Sequence, residues 1–216
     1  MSNNSFPRKR ESWELLLLFI LFGFVVFIPI EYLKLGNISS VWIEQLGELV
    51  FVAFVFYYYS KKNPALSSSL LFSLKSFLQG FLAYFIIFLL IDELFVYALC
   101  KEWKPISIGF TPKWLTALGT VGLLGPVVEE ILFRGVILKL QTLSYGLKKA
   151  ILFNGLIFGI LHFGPLPGFG WWSCFDSFAH GFFFAVFLSI VTDKTKNLSF
   201  AFGFHIANNF LTLVTM

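Results

Sequence analysis

The amino-acid sequence predicts an all-α fold: a polytopic membrane helix bundle of about seven transmembrane helices with a cytoplasmic N-terminus. Three observations predict it. Of the 216 residues, 57% are apolar and only 13% charged, against about a quarter charged in an ordinary water-soluble domain. The apolar residues, 30 of them Phe, fall in long unbroken runs with a mean hydropathy of +0.81. Such runs mark spanning helices and lack the period-two alternation of barrel strands. The polar breaks between the runs are short and mostly basic. The same composition excludes intrinsic disorder, a disulfide scaffold and an ordinary soluble enzyme.

Spans are expected at 13–30, 41–59, 77–99, 114–139, 150–163, 172–192 and 197–216, forming one integral-membrane domain over 1–216. The first follows Arg8-Lys9-Arg10 and has no small-residue cleavage site, so it reads as a retained helix and not as a signal peptide. Ser60-Lys61-Lys62-Asn63-Pro64 closes the second, and Lys101-Glu102-Trp103-Lys104-Pro105 follows the third. Lys148-Lys149 separates the fourth from the fifth, and Asp193-Lys194-Thr195-Lys196-Asn197 the sixth from the seventh. Gly164-Pro165-Leu166-Pro167-Gly168 reads as a tight turn, because its prolines remove backbone donors and its glycines admit positive φ.

Charge orients the bundle. With the N-terminus inside, the inner segments collect Arg8, Lys9, Arg10, Lys61, Lys62, Lys75, Lys139, Lys148, Lys149, Lys194 and Lys196. The outer segments hold Lys34, Lys101, Lys104 and Lys113. The net charge of +4 is therefore spent on topology signals and forms no single patch for nucleic acid. Cys100 and Cys174 allow one disulfide at most and make no metal-ligand pair with each other.

Ionisable side chains inside apolar spans cost a few kcal/mol each, about 2.5–3.5 at a helix centre, and are functional candidates by default. The fourth span contains Glu129-Glu130-Ile131-Leu132-Phe133-Arg134. Glu130 and Arg134, four apart, share a face and can pair, whereas Glu129 points about 100° away. A carboxylate without a cationic partner in apolar surroundings suits a general base. Gly125-Pro126 just ahead removes a helix hydrogen bond and is expected to kink the span. His162, His180 and His205 also fall in expected spans. Phe158 precedes His162 by four residues, and Asn209 follows His205 by four. Counted from the inner ends of their spans, Glu129 lies about 15 Å deep, His162 about 18 Å, His205 about 12 Å, Asn209 about 18 Å and His180 about 20 Å. His180 has no polar partner four residues on. Glu44 and Glu48, like charges four apart that repel, are read as facing an aqueous mouth, and Asp92-Glu93 as solvated at the interface.

Glu129-Glu130-x-x-x-Arg134, Phe158-x-x-x-His162 and His205-x-x-x-Asn209, in that order on successive helices, resemble the CPBP family of intramembrane proteases (CAAX proteases and bacteriocin-processing enzymes, also called the Abi family). Phe133 and Gly135, on either side of Arg134, fit the same pattern. The resemblance covers a catalytic core at 114–216; the earlier spans match only in hydrophobicity. It implies that Glu129 with His162 activates a water to attack a peptide carbonyl. It further implies that His205 and Asn209 stabilise the oxyanion, and that Glu130 and Arg134 hold the site together with Phe158 in support. A glutamate-type mechanism without metal is implied, although Glu129, His162 and His205 are the set that would hold Zn²⁺ if one were used. The partners implied are the lipid bilayer and a membrane-bound protein or peptide, lipidated or carrying a C-terminal sorting tail. The compact chain fits a multi-pass protein of a bacterial inner membrane. Two other classes compete: a non-catalytic membrane immunity or scaffold protein of the same fold, and a small proton-relaying transporter. The latter usually shows internal repeats, and none is seen here.

Overall fold

Long apolar runs with few breakers fold locally into helix, because in a helix every backbone donor and acceptor is satisfied within the segment. The computed structural model describes residues 38–62, 72–87, 114–164 and 172–215, with the helical residues Glu14, Leu17, Leu18 and Leu21. All regular structure among the described residues is helical. Helix α1 is Ile38–Lys62 and α2 is Leu74–Ile87. Helix α3 runs over 114–145, α4 is Leu147–Leu161, α5 is Trp172–Thr195 and α6 is Ser199–Thr215. Of these, the stretch Cys174–Thr195 of α5 is long and apolar enough to cross a membrane, and α2 is a shorter apolar helix. Most of the expected span at 13–30 and the end of the one at 77–99 lie outside the described residues, as do Asp92, Glu93 and Cys100.

The fourth expected span is longer than anticipated. Helix α3 continues past residue 139 to Tyr145 and stops at Gly146, whose φ of 80° no ordinary side chain favours. Lys148 and Lys149 consequently sit in the first turn of α4 and not in a loop. Gly125-Pro126 does not break α3 either. The backbone stays right-handed helical throughout, but two stretches, Leu118–Leu124 and Ile131–Ile137, are wound as π-helix around a central α-helical piece, Gly125–Glu130. Gly125 N–H reaches back five residues to Thr120 O, and Leu138 N–H likewise to Phe133 O. The wider winding absorbs the proline, and such turns cluster at functional sites.

Helix α3 occupies the centre. Val128, Leu132, Phe133, Val136, Ile137 and Leu140 are buried against Val52 and Val55 of α1, Phe158 of α4, Phe184, Ala185 and Leu188 of α5, and Ala201 and Phe204 of α6. Helix α2 buttresses α6 from outside through a reciprocal glycine crossing. A Cβ at Gly80 would overlap the Phe200 carbonyl oxygen, and one at Gly203 the Phe77 carbonyl oxygen. Only glycine allows two backbones to approach so closely. The Ser199 hydroxyl adds a link by accepting from Ser73 N–H at 2.8 Å. Glu48 corrects the expectation of a solvated mouth: it is buried, with Gln45 Nε2 donating to its carboxylate at 3.3 Å. The face of α1 that carries it packs on α3, which spacing along α1 alone does not reveal. The side chain of Glu44 lies outside the description.

Candidate active site

The central piece of α3 delivers Glu129 and Glu130, and the π turn after it delivers Arg134. Glu130 and Arg134 are both fully buried, and Arg134 Nη1 donates to Glu130 Oε1 at 2.9 Å. The same oxygen accepts a second bond, from His205 Nδ1 of α6 at 2.8 Å. A carboxylate paired with a guanidinium is an acceptor, so His205 carries its proton on Nδ1 and turns Nε2 outward. That Nε2 lies 3.9 Å from Glu129 Oε2.

His162 arrives from the other side. Its Nδ1–H donates to the Phe158 carbonyl at 2.8 Å, and its Nε2 lies 4.0 Å from the same Glu129 Oε2. A carbonyl can only accept, which again assigns the proton to Nδ1 and leaves Nε2 as an acceptor. Glu129 Oε2 therefore faces two imidazole lone pairs when both rings are neutral. Acceptors cannot bond one another, and the separations exceed a direct hydrogen bond. Glu129 Oε2 is itself buried and has no hydrogen-bond partner among the described residues.

His162 departs from its expected place within a span. Helix α4 ends at Leu161, and His162 sits in the closing turn at φ −96°, ψ 0°. It is held there by packing. The imidazole stacks on Phe158 with centroids 4.3 Å apart, and Phe158 also receives the Arg134 guanidinium, Cζ at 4.6 Å from its centroid. Gly181 of α5 lies flat against the turn: a Cβ there would stand 3.3 Å from His162 Cβ. The site thus has a dry half, Glu130, Arg134 and His205, and an open half. In the open half the Glu129 side chain is 28% exposed and that of His162 43%.

Asn209 has one amide donor engaged away from His205. Its Nδ2 donates to the Val121 carbonyl in the first π stretch at 2.8 Å, and its Oδ1 accepts from Asn208 Nδ2. His180 stays apart from the carboxylates: its ring stacks on Phe184 at 5.9 Å and the residue is exposed. Sequence reasoning passed over Phe184, whose ring edge meets His205 at 4.8 Å. It also passed over Asn154, fully buried and bonded to the Phe133 carbonyl. A polar residue inside the apolar run 150–163 was a usable signal for Asn154; one Phe among 30 carried none. Among the described residues no group of three or more His, Cys, Asp and Glu side chains is arranged to hold a metal, Glu129, His162 and His205 included.

Carboxylates and imidazoles thus converge between packed helices of an all-helical protein. Residues 111–211 match the family model described as type II CAAX prenyl endopeptidase, Rce1-like. This segment is an Rce1-like domain, and thus belongs to the CPBP family, a family of peptidases. No curated protein and no solved structure matches the chain.

Proposed function

We propose that the chain is an intramembrane endopeptidase that hydrolyses a peptide bond of a membrane-associated protein or peptide. The observation that carries this reading is the approach of one carboxylate oxygen, Glu129 Oε2, to Nε2 of both His162 and His205, 4.0 and 3.9 Å away. In the proposed step Glu129 accepts a proton from a water lying between it and His162. The resulting hydroxide adds to the scissile carbonyl. The proton then passes, with His162, to the departing amine as the C–N bond breaks. A protonated His205, its Nδ1–H held by Glu130, presents Nε2–H to the oxyanion. The second N–H of the Asn209 amide can join it, the first being engaged by Val121 O. Arg134 neutralises Glu130 and keeps it an acceptor.

The family description, which names a prenyl endopeptidase, supports as substrate a peptide with a lipidated C-terminal tail, presented from the bilayer. We further propose a single multi-pass domain of seven spans over 1–216, N-terminus in the cytoplasm, with its catalytic core at 114–216. The apolar outer surface supports it, with Val50, Phe54, Leu82, Leu115 and Phe183 all exposed.

The test uses purified protein in detergent micelles and a quenched fluorescent peptide ending in a farnesylated CAAX tail. Cleavage by the wild type and its loss in a folded Glu129→Gln variant are expected. Binding without cleavage would favour the scaffold reading. Loss of cleavage on chelation, restored by Zn²⁺, would move the mechanism to a metal.

A further inference from the structure

Both π-helical stretches of α3 carry the same device. A π turn sends its N–H groups five residues back, loosening the winding and leaving carbonyls open to side chains of neighbouring helices. In the first stretch Val121 O accepts from Asn209 Nδ2 of α6 at 2.8 Å. In the second, Phe133 O accepts from Leu138 N–H and also from Asn154 Nδ2 of α4, at 3.0 Å. The segment carrying Glu129 and Glu130 is thereby fastened on both sides by an amide from another helix. Asn154 is fully buried, and its Oδ1 accepts from Ser189 Oγ of α5 at 3.2 Å. The carbonyl can only accept and so takes the NH₂ side, which fixes the orientation of the amide.

An amide buried in a helix interface costs free energy unless its bonds are made, and a leucine of similar size would pack there without that demand. Phe133 immediately precedes Arg134, and Arg134 holds the carboxylate that holds His205. We infer that Asn154 is a positioning residue: by bonding the π-turn carbonyl it sets the rotation of Arg134, and through Glu130 the orientation of the His205 ring. Ser189 acts one step further out by orienting Asn154. Only the kinetic consequence rests on the proposed hydrolysis; the geometric one does not.

The experiment exploits the chain having only three histidines. Protein labelled with ¹⁵N-histidine in micelles should give three imidazole spin systems, with wild-type His205 showing an Nδ1–H bonded to a carboxylate. Asn154→Leu removes the amide at similar volume. It is expected to displace the His205 ring resonances and weaken its Nδ1–H signal. It should also lower kcat on the farnesylated peptide by about 10- to 100-fold at unchanged KM, the scale of a small misplacement. Ser189→Ala should move the same resonances less and add little to Asn154→Leu, since the two act in series. Gly155→Ala is the control for loosening of the α4–α5 contact, because its Cβ would stand 2.7 Å from Val186 Cγ2. It should lower the melting temperature while leaving His205 in place. A folded Asn154→Leu with wild-type His205 resonances overturns the inference. If Asn154→Leu does not fold, unmoved His205 resonances in Ser189→Ala overturn it alone. A wild type that cleaves nothing would sink the hydrolytic reading and leave the spectroscopic result standing.

Discussion

Replacing Arg134 by alanine strands the Glu130 carboxylate. Both side chains are fully buried and meet at 2.9 Å, so no solvent can replace the guanidinium. Breaking such a pair by removing one partner costs about 3–5 kcal/mol. The guanidinium also lies over Phe158 at 4.6 Å, a desolvated cation–π contact worth about 2 kcal/mol. The loss of about 5–7 kcal/mol is comparable with the whole stability of a typical domain, about 5–15 kcal/mol. For a chain of this length each kcal/mol moves the melting point by about 2–4 °C, so a drop of at least about 10 °C is expected. The assay is intrinsic-fluorescence melting in detergent, with the yield of monodisperse protein as a second readout. Adding Glu130→Gln to Arg134→Ala removes the stranded charge and should recover part of the loss. An Arg134→Ala protein melting within about 3 °C of wild type would refute the reasoning. So would a double variant that falls by the sum of the two single losses.

In the proposed mechanism Glu129 and His162 serve one proton transfer, so Glu129→Gln combined with His162→Ala should reduce cleavage hardly more than either alone; multiplicative losses in peptide turnover would argue for separate roles. Gly203→Ala should destabilise the protein severely, since the new methyl would overlap the Phe77 carbonyl, and a melt unchanged from wild type would contradict the close α2–α6 crossing. Reporter fusions at Ser60 and Met216 should lie on opposite sides of the membrane, inside and outside respectively; the same side for both would sink the seven-span count.

What the sequence disclosed was chiefly what lies within one helix. The four-residue spacing of Glu130 and Arg134 and that of Phe158 and His162 both correspond to observed contacts, because residues four apart stay about one turn apart in α winding and in the wider π winding alike. The bond from His205 to Glu130 joins residues 75 positions apart, and no local period encodes it. The π winding was hidden for a related reason: its glycines and β-branched residues are equally at home in any apolar span, and Pro126 reads equally well as a kink. The bond from Asn209 to the Val121 carbonyl, 88 positions away, is hidden in the same way. Glu48 was misjudged because repulsion along one helix says nothing about the helix packed against it. Helix existence between 114 and 215 was legible from hydropathy; the end of α3 at Gly146 was not, since Gly146 lies among residues equally able to continue or stop.

The division into a dry half and an open half gives the chain two glutamate–histidine couples that are chemically alike but differ in their exposure to reagents. A water-soluble carbodiimide or an imidazole-acylating compound meets Glu129 and His162 first, because their side chains are far more exposed than those of Glu130 and His205. Glu130 and His205 become reachable only when the bundle opens. The labelling rate of the first couple therefore reports on occupancy of the site, and that of the second on the frequency with which α6 parts from α3. The molecule carries two gauges, one for ligand and one for breathing, built from the same two amino acids.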